Sequence, residues 1–258
     1  MTRTFLSVAT AVIIVITTSR TAAFAQSSAP TTAPTTQESI ANIGSIPPPT
    51  APLPPGMQRI FDGVSTGGWK QIPPDSWTAK NGILASLGAA RGAIYTTNEY
   101  DRYRVIFDVR HVYGKPDHRA GVLVFCDTAS VTPAEGEKPT TTLNGVQFQV
   151  PNGGHWDYRK GKNNSGKEFF TRVPDIKFDE NRWSRVEIVV DPKSGTAKMA
   201  VAQPPGTKAV EVLTFKDASA GRKGPFALQM HNKGLFDEFA NIAVELDPAT
   251  DAFITTKT

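Results

Sequence analysis

Between Leu143 and Asn164 the chain reads LNGVQFQVPNGGHWDYRKGKNN, and residue types able to hold a polyhydroxylated ligand are concentrated there. An alternating run ends in Pro151-Asn152-Gly153-Gly154 and opens directly into His155, Trp156, Asp157, Tyr158 and Arg159. Trp156 and Tyr158 offer flat apolar faces to sugar C–H groups, while Asp157, Arg159 and His155 offer directional hydrogen bonds. The adjacent glycines let backbone approach a ligand closely. The same pattern also describes a hairpin loop around a buried tryptophan.

The elements that must position these groups are strands. Short apolar or period-2 runs bounded by turn residues recur from Arg59 onward, and no sustained 3.6-residue period competes with them. We expect strands near Arg59–Phe61, Trp77–Lys80, Ile83–Leu87, Ala93–Thr96, Tyr103–His111, Ala120–Cys126 and Gly145–Val150. Five more follow near Arg182–Val190, Thr196–Gln203, Glu211–Phe215, Phe226–Met230 and Glu238–Leu246. Asn81-Gly82 and Ser194-Gly195 are tight-turn signals. The fold class is all-β, a sandwich. Alternation sends Gln147 and Gln149 one way and Val146, Phe148 and Val150 the other. It sets Gln229 and His231 against Leu228 and Met230, and it gives Asp108 and Arg110 a common face. One polar sheet is expected to carry all of these, with the chain's four histidines, 111, 118, 155 and 231, in or beside it.

The termini bound the setting. Arg3, an apolar run from Phe5 to Ile16 and Ala23-Phe24-Ala25 form a secretory signal peptide over 1–25, too short in its apolar part to span a bilayer. Residues 26–55 are Ser-, Thr-, Pro- and Gln-rich and read as an extended linker. One domain is expected over 56–248, followed by a tail over 249–258 and placed in the periplasm, at the cell envelope or outside the cell, with no membrane span in the mature chain. Of 28 Lys+Arg, the signal segment removes Arg3 and Arg20, leaving 26 against 24 Asp+Glu. The bases lie scattered among acids with no aromatic-interleaved run, so nothing points to nucleic acid. Cys126 is the only cysteine, which excludes an intrachain disulfide, and its strand-like neighbours predict a buried, inert thiol.

Several segments together resemble the 3-keto-disaccharide hydrolase domain family. They are Phe61-Asp62-Gly63 with Gly68-Trp69, Trp77 through Leu84, Glu99-Tyr100 with Tyr103, Gly121-Val122, Gly145 through Gln149, Asn181-Arg182-Trp183 before Val186-Glu187-Ile188, and Gly224 through His231. The resemblance runs over Arg59–Leu246 and implies a concanavalin-like jelly-roll sandwich whose concave sheet holds a sugar-derived ligand. It also implies cleavage of 3-keto-glycosides by elimination and water addition, with a divalent metal in some members. A carbonyl at C3 acidifies the C2–H, so a positioned base can abstract that proton while a donor or cation holds the enolate.

From the histidines gathered near the polar sheet, His155 or His118 is the expected base and Asp157 the group that orients or charges it. Gln147, Gln149, Trp156, Tyr158, Arg159, Gln229 and His231 are the expected sugar-binding residues. Asp108, His118 and His155 are the candidate metal ligands, without the tight spacing of a His-Glu-x-x-His motif. The chain departs from the family pattern at Phe125, where the family carries arginine, and at Gln147, where it often carries an acid. Three functions therefore stand open: a glycoside-cleaving hydrolase, a non-catalytic carbohydrate-binding module, and a jelly-roll polysaccharide lyase in which glutamine neutralises a uronate.

Overall fold

The computed structural model describes residues 52–114, 120–128 and 143–257. The expected signal peptide and linker up to residue 51, and His118, lie outside the described residues. In chain order the strands are β1 (Gln58–Arg59), β2 (Trp69–Ile72), β3 (Trp77–Lys80), β4 (Ile83–Ser86), β5 (Gly92–Thr96), β6 (Tyr103–Tyr113), β7 (Gly121–Asp127) and β8 (Asn144–Gln149). They continue as β9 (Gly154–Asp157), β10 (Phe170–Arg172), β11 (Ser184–Asp191), β12 (Thr196–Ala202), β13 (Val210–Lys216), β14 (Ala227–Met230) and β15 (Phe236–Leu246). Two of the strands not expected from sequence, β2 and β10, close sheet edges, and the third, β9, proves decisive for the site.

Two antiparallel sheets form a concanavalin-like jelly-roll sandwich. The larger runs β10-β13-β12-β11-β6-β15-β4-β3, with β1 added beside β15, and the smaller runs β2-β5-β14-β7-β8-β9. Alternate residues of both sheets meet in one apolar core. Phe107, Ile188, Met199 and Phe239 come from the larger sheet, and Ile94, Val122, Phe148 and Leu228 from the smaller. The Phe107 and Phe226 rings bridge them at 5.8 Å between centroids. Burial of each such side chain contributes roughly 1.5–3 kcal/mol, the term that offsets the ordering of the strands. Cys126 is buried, and burial pushes its thiol well above the ordinary range, which keeps it unreactive. Among the described residues no helix is long and apolar enough to cross a membrane.

The strand order corrects one expectation. Asp108, Arg110 and His111 lie on β6, in the larger sheet, whereas Gln147 and Gln229 lie in the smaller one. The polar groups of β6 are tied up structurally. Asp108 accepts from Arg185 Nε and Nη2 at 2.9 Å each and from Asn241 Nδ2 at 2.6 Å, Arg110 pairs with Glu238 at 2.7 Å, and His111 Nδ1 meets Asp237 at 2.7 Å. The C-terminal segment straps this face. Glu187 accepts from the backbone N–H of Ile254 at 3.0 Å and of Thr255 at 2.9 Å, while Arg104 pairs with Glu187 at 2.8 Å and donates to the carbonyls of Thr250 and Ala252. Charges this deep persist because each has a partner.

Candidate functional site

Residues directly opposite in an antiparallel pair share a face, so register decides which side chains can meet. In β8, Val146 and Phe148 enter the core. Their partners across β9 are Asp157 and His155, so those two also point inward, while Trp156 sits opposite Gln147 and Gly154 opposite Gln149 on the outer face. Across β14 and β7, Gln229 pairs with Gly121, itself paired with Gln149, and Leu123 pairs with both Ala227 and Gln147. The outer face of the smaller sheet thus gathers Gln147, Gln149, Gln229 and Trp156, with Tyr158 and His231 just past the ends of β9 and β14.

At its centre Gln147 Nε2 donates to Gln229 Oε1 at 2.5 Å. Gln147 and Gln229 are 1% and 0% exposed, and their remaining ends, Gln147 Oε1 and Gln229 Nε2, have no partner among the described residues. The pair lies across Gly121, where a Cβ would come within 2.9 Å of Gln147 Nε2 and 3.2 Å of Gln229 Oε1. Gln149 similarly lies over Gly154, whose Cβ would stand 2.0 Å from Gln149 Oε1.

Beside the amide pair, Tyr158 Oη and His231 Nε2 are 3.0 Å apart, and His231 Nδ1 is 3.3 Å from Asn232 Oδ1. Since the asparagine oxygen only accepts, the network assigns the proton to Nδ1 and leaves Nε2 to accept from the Tyr158 hydroxyl. The Arg91 guanidinium stands 5.6 Å from the centre of the Tyr158 ring. Trp156 is 36% exposed, its indole N–H donating to Asn163 Oδ1 at 3.2 Å. Arg91 and the half-buried Tyr95 on the same side did not enter the sequence expectation. The signal for Arg91 was its isolation among small residues, Gly88-Ala89-Ala90-Arg91-Gly92, just ahead of a strand.

The expected catalytic set is not brought together. The His155 ring stacks on Phe170 at 3.9 Å between centroids, and neither ring nitrogen has a partner at hydrogen-bonding geometry among the described residues. Burial, helped by the charges of Arg172 and Lys167 and opposed by the Ser165 backbone, holds its pKa below the usual histidine range. Asp157 does not orient it. The Asp157 carboxylate accepts from Arg159 Nε at 2.9 Å and Nη2 at 2.6 Å, and the same Nη2 reaches Asp217 at 2.6 Å. Arg159 is therefore committed to two carboxylates and packs over Phe215 instead of facing a sugar on the outer surface. For Asp217, burial works upward, but hydrogen bonds from Arg159 and Ser219 overcome it and bring the carboxyl down to about 2.

Asp108 and His155 lie on different sheets, and among the described residues no group of three His, Cys, Asp or Glu side chains could hold a metal ion. At Phe125, the family's arginine position, the side chain is buried against Phe215 and the backbone is left-handed, φ 55, within a bulge between Val124 and Asp127.

Residues 56–245 match the family model described as the 3-keto-alpha-glucoside-1,2-lyase-like domain. The chain belongs to that family. No curated protein matches it at a significant level. Among solved structures, this lyase-like domain is similar to the carbohydrate-binding module CBM66 from Bacillus subtilis, at 13% identity and TM-score 0.50, over 69% of this chain and 95% of that one. It is also similar to the exoplasmic/lumenal domain of VIP36 in a Ca2+/Man3GlcNAc-bound form, at 6% identity and TM-score 0.52, over 78% and 97%. A candidate glycosyl hydrolase from Parabacteroides distasonis aligns at 15% identity and TM-score 0.49, over 75% and 95%. The lyase-like domain thus shares a sandwich with carbohydrate-binding proteins, and its chemistry has to be read from its own side chains.

Proposed function

We propose that the domain, exported from the cytoplasm, binds and cleaves a 3-keto-glycoside on the outer face of the smaller sheet. The observation that carries this reading is the Gln147–Gln229 pair. A buried carbonyl and a buried amide N–H left without partners are costly, and a ring bearing adjacent hydroxyl and carbonyl oxygens meets both at once. Trp156 supplies the apolar face against which such a ring stacks. Tyr158 takes the C2 proton as its own hydroxyl proton passes to His231 Nε2, with the Arg91 guanidinium 5.6 Å from the centre of its ring. The Gln229 amide N–H holds the enolate oxygen. The C1–O bond then breaks as the C1=C2 bond forms, the leaving group taking the proton back, and water adds across the double bond.

Binding without cleavage is favoured by a separate observation. The strands of the smaller sheet carry two carboxylates, Asp157, which faces the core, and Asp127 at the end of β7, which pairs with Arg222. Incubating the purified mature protein with 3-keto-glucosides and their unoxidised parents, and following released reducing sugar, separates the two. Cleavage restricted to the keto compounds and lowered ~10²–10⁴-fold in Tyr158→Phe and His231→Ala supports the enzyme. Saturable glycan binding with no product supports the module, and wild-type turnover in both variants defeats the proton-transfer assignment.

A further inference from the structure

A cavity of about 300 Å3 lies at the end of the sandwich where β7 bulges and β8 begins, at the lower end of the ~300–1,000 Å3 typical of small-ligand sites. Four basic side chains line it, Arg159, Lys160, Lys162 and Arg222, against a single lining carboxylate, Asp127. Two of the four are already neutralised, because Arg159 is shared between Asp157 and Asp217 and Arg222 pairs with Asp127. The two lysines differ. Lys160 is exposed with no acidic partner among the described residues. Lys162 sits 4.5 Å over the Phe169 ring and 4.0 Å from Asp217, and together with Arg159 it balances Asp157 and Asp217, so the surplus is the single charge of Lys160. Asn144 and Ser219 add neutral hydrogen-bonding groups to the wall, and Phe125 and Ala220 give it an apolar side.

The left-handed Phe125 backbone belongs to this wall. A bulky residue at φ 55 is costly, and such strain together with a bulge is found where a local surface is being shaped. A surplus of cationic charge beside neutral donors and an apolar side matches a ring that carries one negative group.

We infer that this cavity is a subsite for an oxyanion borne on a saccharide, a uronate carboxylate or a sulfate ester. Its saccharide half rests on the carbohydrate reading of the domain, and its oxyanion half does not. The site is separate from the Gln147–Gln229 floor, so the two can be lost independently.

The test is calorimetric titration of the mature protein with glucuronate, glucose 6-sulfate, glucose and inorganic sulfate. The charged sugars should bind more tightly than glucose. That increment should fall about fivefold for each of Lys160→Gln and Lys162→Gln and shrink as salt shortens the Debye length. Gln147→Leu should leave it in place. Both lysines lie outside the core, and an unchanged melting temperature confirms that the variants are folded. Equal binding of glucose and the charged sugars, an increment that survives the double lysine variant, or inorganic sulfate binding as tightly as the sugars would each overturn the inference.

Discussion

Replacing Gly121 with alanine perturbs the site by one carbon. The added Cβ would meet Gln147 Nε2 at 2.9 Å and Gln229 Oε1 at 3.2 Å, and with both glutamines essentially unexposed the amide ends have little room to swing aside. The direct hydrogen bond is worth about 1 kcal/mol net, and leaving buried amide ends further unpaired costs about 1–3 kcal/mol. Alanine returns about 0.4–1 kcal/mol by restricting the unfolded chain, since Gly121 does not require a left-handed backbone. The balance is a loss of about 1–3 kcal/mol, or roughly 2–10 °C in melting temperature for a domain of this size. Gln147→Leu with Gln229→Leu removes both partners and should be far less destabilising, yet it should abolish glycan binding equally. Thermal denaturation alongside glycan titration compares the three proteins. If Gly121→Ala melts within a degree of wild type and binds as well, the amide pair is not the floor of a site.

Three further outcomes follow from groups away from that floor. His155 titrates below its unfolded value of 6.5, so the stability it contributes is complete above about pH 6.5 and drains away as pH falls through the lower folded value. Urea midpoints against pH should show that slope, and His155→Phe, which keeps the stack on Phe170, should flatten it. Arg159→Leu strands the fully buried Asp157 and should cost about 3–5 kcal/mol while sparing binding at the outer face, whereas a loss of glycan affinity without a loss of stability would make Arg159 a sugar ligand after all. Deleting Thr250–Thr258 removes the backbone donors to Glu187 and acceptors for Arg104, and should lower the melting temperature by about 5 °C or more, which an unchanged melting curve would contradict.

Local alternation made much of this legible in the sequence. Gln147 and Gln149 against Val146 and Phe148, and Gln229 and His231 against Leu228 and Met230, follow from the two-residue period alone. Sheet membership does not. Asp108 and Arg110 share a face as read, but β6 pairs with β11 and β15, a choice made by contacts distant in sequence. The misplaced His155 and Asp157 have a more local cause. Four residues after Gly153 are too few to display a period, and without the register of β9 on β8 nothing tells which of two neighbouring side chains turns inward. A glycine-flanked His-Trp-Asp-Tyr segment looks equally chemical on both sides, and the strand splits it into Trp156 and Tyr158 outside, His155 and Asp157 inside.

Gly154 beneath Gln149 carries that division one step further. A methyl group there would land 2.0 Å from the glutamine oxygen, so any other residue must evict Gln149 from the sheet surface. Together with Gly121 it makes the contour of the outer face a matter of missing carbon. On the carbohydrate reading proposed above, one codon at either glycine is enough to fill that face while the core, the ion pairs and the Tyr158–His231 couple stay as they are.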